Sequence, residues 1–185
     1  MMMRLSRHKT SLISSKPNKF GRYKAIAALL VSLSTAANAL DSTDLALCGE
    51  AKLSVLFWDV YESRLLTPGG EWQPGIRPLR LEIRYLRDIK AADLVEQTAK
   101  EWQAQGISTE QHNLWLDQLN AQWRDVSEGD VIALEIDEQG KSQFLFNGEP
   151  IGTIDHPQFG EDFAGIWLSQ NTTRPELRKA LIGEG

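Results

Sequence analysis

Tyr61, Arg64, Arg84 and Arg87 are the residues of this chain best equipped for chemistry. A guanidinium offers its N–H groups as a planar fork that matches a carboxylate, and a nearby tyrosine hydroxyl adds a donor that can turn to suit. Lys52 is the other cation of this region. Either it or Arg84 could stabilise an enolate or phenolate in an isomerase or lyase, given a positioned acid or base. Trp58, Trp102 and Trp167 offer flat apolar walls. Lys52, Trp58, Tyr61, Arg84 and Trp102 are therefore the expected lining of a ligand cleft. The competing expectation is structural: Arg84 and Arg87 pair with Glu82 and Asp88 on an exposed sheet face, and the tryptophans pack in the core.

Other chemistries have little support. His112 and His156 are far apart in sequence, the sole cysteine Cys48 joins neither at ligand spacing, and no metal site is expected. His112 is expected on an exposed helical face, and Cys48 as a small buried hydrophobe. Asp155-His156-Pro157 reads as a capping Asp at a helix start rather than a proton-shuttling pair. There is no Gly-x-Ser-x-Gly elbow and no phosphate-cradling glycine loop. No catalytic residue is assigned, and no cofactor is expected.

Several elements must position these groups. Leu45 to Leu66 reads as two extended segments broken near Gly49, followed by a Thr67-Pro68-Gly69-Gly70 turn and a Pro- and Gly-containing loop to Pro78. Leu79, Leu81, Ile83 and Tyr85 alternate with Arg80, Glu82 and Arg84, the pattern of a half-buried strand. After Lys90 the period becomes helical, with Leu94, Val95, Thr98 and Trp102 on one face. Ser108, three residues before Gln111, predicts the cap of a second helix with a Trp115, Leu116, Leu119, Trp123 stripe. Strands return at Val131 to Ile136 and Phe144 to Phe146, separated by an Asp137–Gly140 turn, and Asn147-Gly148 is a hairpin signal. Asp155 and Thr173 are the expected caps of two final helices. This order predicts an α+β fold, with helices packed on one side of an antiparallel sheet.

The first 39 residues carry seven basic and no acidic side chains, an apolar run from Ala25 to Leu33 and a closing Ala37-Asn38-Ala39. These are the parts of a secretory signal peptide, so residues 40–185 are the expected mature domain and the periplasm its expected location. The apolar run is too short to span a bilayer, and no stable membrane insertion is expected after cleavage. Losing those seven charges takes the net charge from −5 to −12. Such a chain repels nucleic acid and anionic lipid surfaces.

In their order, Val60-Tyr61 on an early strand, Tyr85-x-Arg87-x-Ile89 before the helices, the Asn147-Gly148 hairpin and Gly165-Ile166-Trp167-Leu168 near the end resemble the chalcone isomerase-like family, in particular its secreted bacterial branch. The resemblance runs from about Leu45 to Ile182. It implies an open-faced β-sandwich, a large antiparallel sheet with helices on one side and a ligand cleft between. It also implies either cyclisation of chalcones or, in members lacking that reaction, fatty-acid binding. Where the enzymes hold an early-strand Thr this chain has Leu56. The nearest basic residue to their Arg is Lys52, and Leu94 and Glu101 stand where their helix places Tyr and Asn. These departures argue against cyclisation.

Three functions follow. The first is a non-catalytic periplasmic binder of a hydrophobic carboxylate, such as a fatty acid or an aromatic acid. The second is an isomerase or lyase, and the third an interaction or scaffold protein whose cleft is filled by its own side chains. A fold alone does not choose among them.

Overall fold

The computed structural model describes residues 45–185. The expected signal segment and its cleavage site lie outside them. Six strands, β1 (Leu45–Val55), β2 (Trp58–Pro68), β3 (Leu79–Tyr85), β4 (Val131–Ile136), β5 (Ser142–Phe146) and β6 (Glu149–Ile154), form one antiparallel sheet in sequence order. Helices α1 (Ala91–Ala104) and α2 (Glu110–Gln122) interrupt the meander, and α3 (Pro157–Leu168) and α4 (Pro175–Leu181) follow it. The fold is α+β with an open antiparallel sheet, as the sequence predicts.

Alternation decides the faces. On β3, Leu79, Leu81, Ile83 and Tyr85 are buried under the helices, so Arg80, Glu82 and Arg84 point the other way. The pairing Leu53↔Tyr61 then puts Lys52, Glu50, Glu62 and Arg64 on that outer face too. There Arg64 bridges Glu50 at 2.8 Å and Glu82 at 3.6 Å, and Arg80 bridges Glu82 at 2.8 Å and Glu135 at 2.7 Å. Cross-strand pairs of opposite charge thus hold the helix-free face across β1 to β4.

The helix side is filled unevenly. Beneath α2 and α3, aromatic rings meet edge to face: Trp102 with Trp115 at 6.1 Å, Trp115 with Phe159 at 5.4 Å and Trp123 with Phe144 at 5.5 Å. This end is a solid core, where such contacts each add about 0.5–1.5 kcal/mol to the burial of apolar area. At the other end α4 packs against the first half of β1, leaving Leu53 and Val55 uncovered by it.

Several local expectations shift. The break expected near Gly49 lies instead at Leu56-Phe57, and Gly49 sits inside β1 at a bulge. A side chain there would strike the backbone carbonyls of Ala180 and Leu181, so the glycine serves close approach of α4 and not a turn. The α2 cap is Thr109 and not Ser108; its hydroxyl accepts the His112 N–H. His156 rather than Asp155 caps α3, its Nδ1 accepting from the Gln158 N–H. Arg174, not Thr173, is the N-cap of α4, with Pro175 in its first turn. His112, expected in solvent, is buried. Its ring lies 4.6 Å from Trp102 and 4.9 Å from Trp115, and its Nε2 is 3.0 Å from Asp162 Oδ2. The helix face is turned so that Leu114, 54% exposed, meets water instead.

Candidate functional site

A cavity of about 440 Å³ opens between the β1–β3 half of the sheet and α1. Leu53, Leu81 and Ile83 rise from the strands, and Leu94 faces them from α1. The aromatic core closes its inner end with Trp123, Phe144 and Phe163. The void exists because α1 turns short or polar side chains toward it. Asp93, Gln97, Thr98 and Glu101 line its helical wall where a core helix would place Leu or Phe. The volume falls within the range of about 300–1,000 Å³ usual for small-molecule sites, and the walls are predominantly apolar.

The polar groups gather around Tyr61. Its hydroxyl oxygen accepts the Trp167 Nε1–H at 2.9 Å, which leaves its own O–H free to donate. Burial pushes the Tyr61 phenol up to about 12, only partly offset by the Trp167 hydrogen bond and the nearby Arg174 charge. Tyr85 is its direct cross-strand neighbour; burial raises this phenol further, and its hydroxyl takes no hydrogen bond from another described residue. Both are therefore donors at neutral pH and not bases.

Arg174 is the one cation in the lining. It comes from the N-cap of α4, and among the described residues no carboxylate lies within 4.0 Å of it. The nearby Glu101 is held by neutral donors instead, Gln97 Nε2 at 2.9 Å and Thr173 Oγ1 at 2.6 Å. The lining thus offers a ligand the Tyr61 and Tyr85 hydroxyls and the Arg174 guanidinium as donors, hydrocarbon from the strands, and the polar side chains of α1. Among the described residues no cluster of three or more His, Cys, Asp or Glu is disposed to hold a metal ion. Cys48 is half-buried against the core, and burial pushes its thiol up, away from the reactive thiolate.

Of the five residues expected to line a cleft, the structure places Tyr61 in this cavity. Lys52 lies on the outer face, paired with Asp59 at 3.2 Å. Arg84 is on the same face, donating to the Gly129 carbonyl at 3.2 Å. Trp58 is 66% exposed at the β1–β2 hairpin, and Trp102 is sealed in the core with its Nε1–H on the Asp162 carbonyl. Neither expected arginine pair forms: Glu82 takes Arg64 and Arg80, and Arg87 stacks over Trp58 at 5.7 Å. Trp167 does line the cavity. Sequence reasoning missed Arg174 and Tyr85. The signal for Tyr85 was its parity with Leu79, Leu81 and Ile83. Arg174 had none, because only the docking of α4 carries it to the cavity.

A family model described as chalcone isomerase-like matches residues 31–183. The chain belongs to the chalcone isomerase-like family. An uncharacterized protein of Haemophilus influenzae is 26% identical over 126 residues, or 68% of this chain, and the match spans 61% of that protein's length. Among solved structures, a fatty-acid binding protein of Arabidopsis thaliana superposes with a TM-score of 0.57 over 75% of this chain and 87% of that one. At 11% identity that likeness is one of fold. Of the positions at which the chalcone isomerase-like pattern differs here, Leu94 and Glu101 line the cavity. Leu56 is at a hairpin turn and Lys52 on the opposite face.

Proposed function

We propose that this protein is a periplasmic binder of a hydrophobic carboxylate, a fatty acid being the simplest candidate. The observation that carries the reading is Arg174, the one cation in the lining of a predominantly apolar cavity of about 440 Å³, with no carboxylate within 4.0 Å of it among the described residues. An acyl chain lies along Leu81, Ile83 and Leu94, each buried methylene contributing about 0.8 kcal/mol. Its carboxylate meets Arg174 and the Tyr61 and Tyr85 hydroxyls. The fatty-acid binding neighbour shares the fold, which supports this use of it. The basic and apolar first 39 residues, ending in Ala-x-Ala, support export.

The test is solvent extraction of the purified protein followed by mass spectrometry, with titration by a fatty acid and the alcohol of equal length. A co-purified acid in stoichiometric amount, and preference for acid over alcohol, are expected. Arg174→Leu should lower acid affinity by about tenfold and leave the alcohol unchanged, the modest factor reflecting an exposed guanidinium. An empty protein that binds neither ligand would sink the reading.

A further inference from the structure

The turn joining β1 to β2 is made of the wrong residues for a turn. Val55, Leu56, Phe57 and Trp58 are 42%, 88%, 97% and 66% exposed. Leu56 has a φ of 56°, in the left-handed region where glycine or asparagine is favoured in a two-residue hairpin. The chain gives up turn stability and exposes four consecutive apolar residues. The same strands carry Leu53, Val55 and Val60 into the lining of the cavity, so the tip is continuous with the cavity wall.

We propose that this hairpin tip docks into the headgroup–acyl boundary of a zwitterionic phospholipid bilayer, presenting the cavity to the membrane. The shape favours a bilayer over a protein partner. Stable protein interfaces draw on about 20–30 residues a side, whereas this patch is one convex turn. Phe57 and Leu56 enter the acyl region, and Trp58 takes the interfacial depth that indoles prefer. Arg87, stacked over Trp58 and within 4.0 Å of no carboxylate among the described residues, is placed to receive a lipid phosphate. A net charge of −12 beyond residue 39 opposes approach to anionic lipid, which is why the occupant is zwitterionic. Such shallow contact requires no spanning helix, and among the described residues none is long and apolar enough to span.

The experiment uses phosphatidylcholine–phosphatidylethanolamine vesicles with brominated acyl chains. Trp58 quenching is taken as the difference between the native protein and Trp58→Phe, so that vesicle contact elsewhere in the chain does not enter. Quenching of the Trp58 component is expected, together with at least a tenfold loss of that quenching-derived affinity in Phe57→Glu and a smaller loss in Arg87→Ala. Both substitutions are at exposed positions, and unchanged melting temperatures verify that the variants fold. Absence of Trp58 quenching, or quenching indifferent to Phe57→Glu, overturns the proposal. So does a dimer in light scattering that Phe57→Glu dissociates. A cavity-blocking Leu53→Trp variant, made in both the native and Trp58→Phe proteins, should lose fatty acid and keep the Trp58 quenching. Failure of the ligand reading and failure of the docking reading are thereby distinguishable.

Discussion

Tyr61 and Tyr85 are adjacent on the cavity wall, yet their hydroxyls are engaged differently. The Tyr61 oxygen holds the Trp167 indole N–H, tying β2 to α3, while the Tyr85 hydroxyl has no partner among the described residues. Tyr61→Phe should therefore destabilise the fold by about 1 kcal/mol, the usual net worth of one such bond. Tyr85→Phe should leave stability within about 0.5 kcal/mol while weakening fatty-acid binding. Chemical denaturation and ligand titration of the two variants check the contrast, and equal destabilisation by both would contradict it. The residue types needed for an acid-binding site were legible in the sequence, but the arginine was not. Arg64, Arg84 and Arg87 drew attention as neighbours of aromatic and acidic residues. The strand period puts Arg64 and Arg84 on the outer face, and it is Arg174 that reaches the cavity.

At the scale of elements, the decisive contact is between β1 and α4. Gly49 admits the last turn of that helix, and the backbone oxygens of Ala180 and Leu181 occupy the space a side chain would need. Gly49→Ala must displace backbone, for which about 1–3 kcal/mol is the usual overpacking penalty. Because α4 carries Arg174 at its N-cap, the same change should weaken acid binding even where the protein remains folded. Thermal melts with a fatty-acid titration at a temperature well below the transition measure both effects. The strands and helices themselves were largely legible, β3 from its strict alternation and the β5–β6 turn from Asn147-Gly148, with φ of 51° and 87°. The caps were off by one residue at α2, α3 and α4, with Thr109 in place of Ser108, His156 in place of Asp155 and Arg174 in place of Thr173. Helix ends are set by packing to within a residue or two, which local residue type does not resolve. The β1–β2 turn was misread because a glycine stood within one strand while Leu-Phe made the reversal.

At the largest scale, the described residues 45–185 form a half-filled open sheet-and-helix layer: aromatic core at the α2–α3 end, cavity at the end of α1 and the start of α4. The two cavity phenols, Tyr61 and Tyr85, make it sensitive to alkali. Burial raises the Tyr61 phenol from the ordinary 10.0 to about 12 and raises Tyr85 beyond that. An acid whose folded-state value is raised contributes stability that is fully present below the unfolded value and lost as pH rises through the folded one. Stability to denaturant should hold up to about pH 10 and fall from there through about pH 12 as the unfolded chain releases protons that the buried phenols keep; Tyr61→Phe should make that fall shallower. By itself the sequence determined the α+β class, the order of strands and helices, the inward face of β3 and the resemblance to the family. These follow from periodicity, turn chemistry and short ordered motifs, all local in the chain. Only the tertiary structure decided that one end is left open, that Tyr85 stands beside Tyr61, and that Arg174 comes near Tyr61. Those facts depend on strand register and on where α4 docks, which bring together residues as much as 113 positions apart. Local preference does not encode that separation; the packing of α4 on β1 does.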